Sequence, residues 1–246
     1  PSTNIYIMKK KYFLQFFRVQ RYITVKGKPL LIIYKPEQII DLYKMIKYFR
    51  KRAVEEGFPG LYIGFQFPTY YADMYYREDI FDFRIGFEPV YSRNQLSLKE
   101  PGTNSKVKVF RKILGEGFIS LYRKLRYKKN RISWKKPEYL SMYFYDEAWN
   151  MILNSEWKDD FLPGAFVDWD NTPRNKHGVM YQGFSIEKFE KYMGRLVSRA
   201  KDERKPMIFI NAWNEWGEGA FLEPDEKFGY KKLEAIKKAK KKYING

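Results

Sequence analysis

The sequence predicts an α/β chain: a parallel sheet with helices outside it, forming an incomplete (β/α)8 barrel of the TIM type. Three observations predict it. Apolar strand-like runs alternate with helical patterns along the chain, the order that gives a parallel sheet. The runs are apolar throughout rather than alternating, as in strands covered on both faces. Residues with chemistry to offer gather just after the runs, as they do at the carboxyl-end face of a (β/α)8 barrel. Five strands are expected, starting near residues 29, 60, 83, 163 and 207, whereas a closed barrel needs eight.

Taken in order, Phe13, Phe16 and Phe17 are spaced to share one helix face. Gly27 and Lys28 turn the chain, and Pro29 opens the strand Leu30 to Tyr34 at a place where a missing N–H does least harm. Pro36 stops it. Ile39, Leu42, Tyr43, Ile46 and Phe49 recur at helical spacing between residues 39 and 56, and Gly57 is placed to end that helix. Gly60 to Phe67 is the next strand, closed by Pro68. Arg84 to Phe87 is a shorter one, followed by Glu88 and Pro89.

Residues 90 to 140 carry the weakest signals. Val107 to Leu125 has the pattern of a long basic helix weakened by Gly115 and Gly117, and Glu138 to Trp149 reads equally as a strand or a packed aromatic loop. A strand near Gly164 to Val167 delivers Asp168, Trp169, Asp170, Asn171 and Arg174 to its end. Ser185 caps a helix running to Ala200. The last helix spans Tyr230 to Tyr243, with Leu233, Ile236 and Ala239 facing in.

At 246 residues the chain can bury one sizeable core, and it is expected to form a single domain over 1–246. Aromatic residues make up 19% of it, which argues strongly against a disordered chain. Without cysteine there is no disulfide, zinc–thiolate site or thiol nucleophile, and His177 alone cannot build a multi-histidine metal centre. No apolar run reaches the roughly 20 residues of a membrane span. No signal peptide is visible, so a cytoplasmic protein is expected, although a start at Pro1 leaves an upstream segment open. The net charge of +18 is spread along the chain. Its densest runs are Lys9 to Lys11, Arg123 to Lys129 and Lys237 to Lys242, and the last two fall on helical patterns, where charge is usually a solvated face. No specific nucleic-acid partner is expected; a basic surface near anionic lipid or lipid-linked sugars fits better.

The run Met207 to Ile210 ends in Asn211, Trp213, Asn214, Glu215, Trp216 and Glu218, with Gly217 and Gly219 interspersed. Two carboxylates three residues apart, walled by two indoles, suit sugar chemistry. Indole faces pack on sugar rings, and paired carboxylates perform glycosidic acid–base work. A plain polar loop after a strand is the competing reading.

The segment N-A-W-N-E-W-G-E-G-A-F-L-E-P-D resembles the signature of the WbsX-like polysaccharide-biosynthesis proteins, related to glycoside hydrolase family 99, the endo-α-mannosidases. W-D-N-T-P-R at Trp169 to Arg174 and R-Y-x-x-V-x-G-K-P near Arg21 to Pro29 resemble further elements of that group. The R-Y-x-x-V-x-G-K-P strand lies in mid-domain there, so the resemblance implies the C-terminal part of a (β/α)8 barrel with its first strands missing. It also implies an enzyme that cleaves or transfers a mannose-like unit of a surface polysaccharide with retention. Glu215 would deprotonate the sugar 2-hydroxyl. Glu218 would protonate the departing oxygen and then activate water or an acceptor. Trp213, Asn214, Trp216, Trp169, Asp170, Asn171 and Arg174 would bind substrate, with Trp169 standing where family 99 has a Tyr. No cofactor or metal is implied. A glycosyltransferase of O-antigen or lipopolysaccharide biosynthesis and a non-catalytic sugar-binding fragment are the alternatives. Both glutamates are expected in one cleft at the carboxyl ends of the strands, with Trp169 and Asp170 across it.

Overall fold

The computed structural model describes residues 12–39, 41–67, 80–99 and 141–244. The expected basic helix Val107 to Leu125 lies outside them. Residues 12–17 form helix α1, and β1 (Thr24–Val25) turns back on β2 (Lys28–Ile33). Lys26 and Gly27 make that turn, both at positive φ, the combination that matches the twist of a two-residue hairpin. Helix α2 (Leu42–Glu55) leads to β3 (Tyr62–Phe67) and β4 (Phe83–Gly86).

Helix α3 (Val90–Lys99) occupies a stretch in which the sequence offers no helical signal. Of the ambiguous stretch, residues 141–144 form a strand, β5 (Ser141–Phe144), as one of the two readings has it, but the chain then runs straight into a helix that neither reading foresees, α4 (Tyr145–Asn154). Asp146 and Glu147 in the first turn of α4 suit the positive end of its dipole. Then come β6 (Phe161–Leu162), β7 (Gly164–Phe166), β8 (Val179–Gln182), α5 (Ile186–Asp202), β9 (Phe209–Asn211), β10 (Asn214–Glu215), β11 (Ala220–Phe221) and α6 (Lys231–Ile244).

All five expected strands are present. β2, β3, β4 and β6 pair in parallel in that order. Only Pro163 separates β6 from β7, and β7 pairs in parallel with β9. The result is a curled sheet with half-barrel character. Its concave face carries Leu30, Ile32, Tyr62, Phe83, Ile85, Leu162, Met207 and Phe209. Phe83 of β4 and Phe209 of β9 stack at 6.2 Å between centroids across the intervening strand.

Two glycines permit this curvature. A Cβ on Gly164 would lie 1.7 Å from the carbonyl oxygen of Gly86, and one on Gly64 would lie 2.3 Å from the Phe83 ring. Neither position has room for a side chain.

The convex face packs on the helices. Trp149 of α4, fully buried, stacks on Phe166 of β7 and on Tyr192 of α5. The Ser185 hydroxyl accepts from the Lys188 N–H and starts α5. Each large side chain buried here contributes roughly 1.5–3 kcal/mol. The parallel strands all point one way, so residues 34, 87–88, 167–168 and 211–215 emerge at one end.

Candidate functional site

At that end the strands are stitched together by polar contacts. The Asn211 side-chain amide donates to the carbonyl of Glu88 at 2.9 Å. The buried Tyr145 hydroxyl donates to the carbonyl of Val167 at 2.7 Å, fixing the backbone just before Asp168. The Asn211–Ala212 peptide is cis. Beyond it the expected loop is a hairpin, with Asn214 opposite Phe221 and Glu215 opposite Ala220. Trp216–Glu218 form a 3-10 turn between the two short strands, and Gly219 completes it at φ +65°. That left-handed conformation strains any residue with a side chain.

Glu215 and Glu218 thus flank one turn. Glu215 and Asn214 are exposed, and Glu218 is half-buried. The turn leans on the 168–174 loop. Asp170 N–H donates to the Glu218 carbonyl at 2.7 Å, and the Arg174 guanidinium pairs with the Glu218 carboxylate. Gly217 leaves space for that guanidinium, since a Cβ there would come within 3.0 Å of Arg174 Nη1. The structure therefore brings Glu215, Glu218, Asp170 and Arg174 together from segments about 45 residues apart.

The remaining expected site residues divide in two. Trp213 and Trp216 are 53% and 49% exposed. Trp216 lies flat on Phe221, 3.7 Å between centroids and 15° between planes, and its indole N–H donates to Glu223. The Trp169 ring is buried in the main core. Asp170 Oδ1 accepts from Thr172 N–H at 2.9 Å and from its hydroxyl at 2.7 Å, and Asn171 Oδ1 accepts from Val179 N–H at 2.7 Å. These two side chains hold the loop.

Two carboxyl groups outside the expected set have altered acidity. Burial pushes Glu88 up to about 8, against partial relief from Ser92, whose N–H donates to Oε2 at 3.0 Å. Burial likewise pushes Asp168 up to about 6, against the Trp169 N–H and the charge of Lys232. Each stands two residues past a strand end, Gly86 for Glu88 and Phe166 for Asp168, a position that could have marked Glu88. Among the described residues no cluster of three or more His, Cys, Asp and Glu is placed to hold a metal ion. Nor is any described helix long and apolar enough to cross a membrane.

Fold and site together define an α/β protein that presents acidic and aromatic side chains at the carboxyl ends of a curled parallel sheet. The chain belongs to the family described as Glycosyltransferase WbsX, whose model matches residues 4–236. It is similar to a protein described as uncharacterized protein WxcX in two strains of Xanthomonas campestris pv. campestris. The identities are 25% over 233 residues and, in strain B100, 24% over 231 residues. Each match covers 92% of this chain but 28% of the relative, so the chain spans just over a quarter of the proteins it matches. No solved structure matches it.

Proposed function

We propose that the chain is the later part of a (β/α)8-type barrel in a carbohydrate-active enzyme of surface polysaccharide metabolism. It would cleave or transfer a mannose-like glycosyl unit with retention. The observation that carries this reading is the hairpin itself. It sets Glu215 and Glu218 at the two ends of one turn, in company with the exposed indoles of Trp213 and Trp216, at the carboxyl ends of the parallel strands. The resemblance to family 99 and membership of a family described as glycosyltransferases support the sugar chemistry.

In the proposed reaction Glu215 takes the proton of the sugar 2-hydroxyl. The freed oxygen attacks C1 as the bond from C1 to the leaving oxygen breaks, and Glu218 supplies the proton that oxygen needs. Water or an acceptor hydroxyl then opens the strained ring at C1, giving its proton to Glu218, while O2 recovers a proton from Glu215. To act as the acid, Glu218 must take up a proton and leave Arg174 as substrate enters. Trp213 and Trp216 offer faces for the apolar side of a pyranose.

One observation favours a second reading, a sugar-binding module without turnover: Glu218 is already engaged by Arg174. The test uses the full-length polypeptide carrying this chain, with product anomers followed by NMR on mannosides and candidate donors. Glu215→Gln is expected to abolish turnover on every substrate. Glu218→Gln is expected to retain its first step on an activated leaving group, which needs no proton. Near-normal rates for both variants on an unactivated substrate refute the assignment. Binding without turnover in the unaltered protein supports the module.

A further inference from the structure

We propose that Lys232, at the start of α6 and outside the acidic hairpin, is a positioning residue that holds Trp216 as a platform for the C–H face of a pyranose. The inference rests on the sugar-binding reading of Trp216 given above.

Lys232 is 2% exposed, which is unusual for a lysine. Its ammonium donates to Asp225 Oδ2 at 2.7 Å and stands 3.4 Å from the centroid of the Phe221 ring. Trp216 stacks on the same ring at 3.7 Å. An indole that close leaves no room for an ammonium on its side, so Lys232 and Trp216 occupy opposite faces of Phe221. The order is ammonium, phenyl ring, indole.

A buried ammonium is tolerated only when paired. Asp225 supplies the pairing and is itself held by the Phe228 N–H at 2.6 Å. A desolvated cation over an aromatic face is attracted to it, so Phe221 is clamped from behind. Phe221 sits opposite Asn214 in the hairpin and carries Trp216 in front. The Trp216 N–H bond to Glu223 fixes rotation in the plane of the stack. One indole face is covered by this arrangement, while Trp216 as a whole stays 49% exposed. The open face is the one available to a sugar ring.

A lysine serving only to anchor α6 would disturb the core when removed. A positioning lysine disturbs Trp216 selectively, and fluorine NMR of 5-fluorotryptophan separates the two. The chain has six tryptophans. The Trp216 line is assigned with Trp216→Phe, and Trp149 and Trp157 report on the core. Lys232→Met and Phe221→Leu are expected to shift and broaden the Trp216 line and leave the core lines in place. Lys232→Arg, which keeps the cation, is expected to restore it. An unmoved Trp216 line in Lys232→Met overturns the proposal, as does loss of the core lines in step with it. If Lys232→Met does not fold, Phe221→Leu decides, because it leaves the Lys232–Asp225 pair intact; there too an unmoved Trp216 line refutes.

A separate titration with methyl α-mannoside tests the sugar reading in the unaltered chain. A response at Trp216 that weakens about tenfold in Kd in Lys232→Met supports platform and positioning together. No response in the unaltered chain sinks the platform, while the variant spectra still decide the positioning.

Discussion

Glu88 should give this protein an alkaline weakness that one substitution removes. Glu88 is 2% exposed, and burial raises the pKa of its carboxyl from an ordinary value near 4.5 to about 8. The fold therefore holds a proton on Glu88 that the unfolded chain releases near pH 4.5. Between those two values the native state binds more protons than the unfolded state, so stability falls as pH rises. The contribution is fully present below about pH 4.5 and lost once pH passes about 8. At 1.36 kcal/mol for each pH unit, the loss amounts to at most ~5 kcal/mol. That is comparable with the whole stability of many domains. Glu88→Gln keeps the shape and an acceptor for the Ser92 N–H but cannot ionise. Urea unfolding of both proteins at pH 5, 7 and 9 measures the difference. The two should agree within about 1 kcal/mol at pH 5, and the variant should be the more stable by several kcal/mol at pH 9. Parallel pH profiles would refute the reasoning, because they would mean that Glu88 is ionised in the fold or reaches water. Asp168 adds a loss of the same sign in both proteins and cancels from the comparison.

Asp168 itself should titrate with a midpoint about 6 in carbon-13 NMR of its carboxyl, and its stabilising contribution should vanish between pH 3.8 and about 6; a midpoint at the ordinary value of 3.8 would show that water reaches it. Gly164→Ala should prevent folding or cost more than ~4 kcal/mol, because its methyl would overlap the Gly86 carbonyl at 1.7 Å; a circular dichroism melt close to that of the parent would contradict the strand spacing. The partly open concave face, with Ile32, Tyr62, Met207 and Phe209 on it, should make the chain self-associate despite its charge; sedimentation as a single monomeric species would count against this.

The strands were legible because each is a short apolar run bounded by Gly or Pro, as with Pro29 before Leu30 and Pro68 after Phe67. Helices α2, α5 and α6 were legible from one apolar stripe each. The signals fail where those cues are absent. β5 passes into α4 between Phe144 and Tyr145 with no Gly or Pro to mark the change. α3 is built from V-Y-S-R-N-Q-L-S-L-K, too polar to show a period. β10 consists of Asn214 and Glu215, both exposed, and its pairing is a matter of backbone alone. At the site, residue types pointed to Glu215 and Glu218, but no local pattern reveals that Arg174 reaches Glu218 from 44 residues away. Lys232 was hidden among the lysines of α6. The cue was its register, since it shares a helix face with Ala235 and Ala239, both buried.

The acidic hairpin has two residues in each strand, far too little pairing to hold itself. Its geometry is therefore imposed from outside, by three parts of the chain. The sheet fixes its root, through Asn211 on the Glu88 carbonyl. The 168–174 loop fixes its turn, through the Asp170 N–H and the Arg174 guanidinium. The helix α6 backs its second strand, through Lys232 on Phe221. Two of these supports engage backbone groups or a ring rather than the glutamate carboxylates. Of these supports, Arg174 is the one that touches either of the two glutamate carboxylates, and it touches Glu218, leaving Glu215 exposed at the other end of the turn. A turn held this way can keep its place while the state of one carboxylate changes. That is what the proposed reaction, with Glu218 first as acid and then as base, would require of its scaffold.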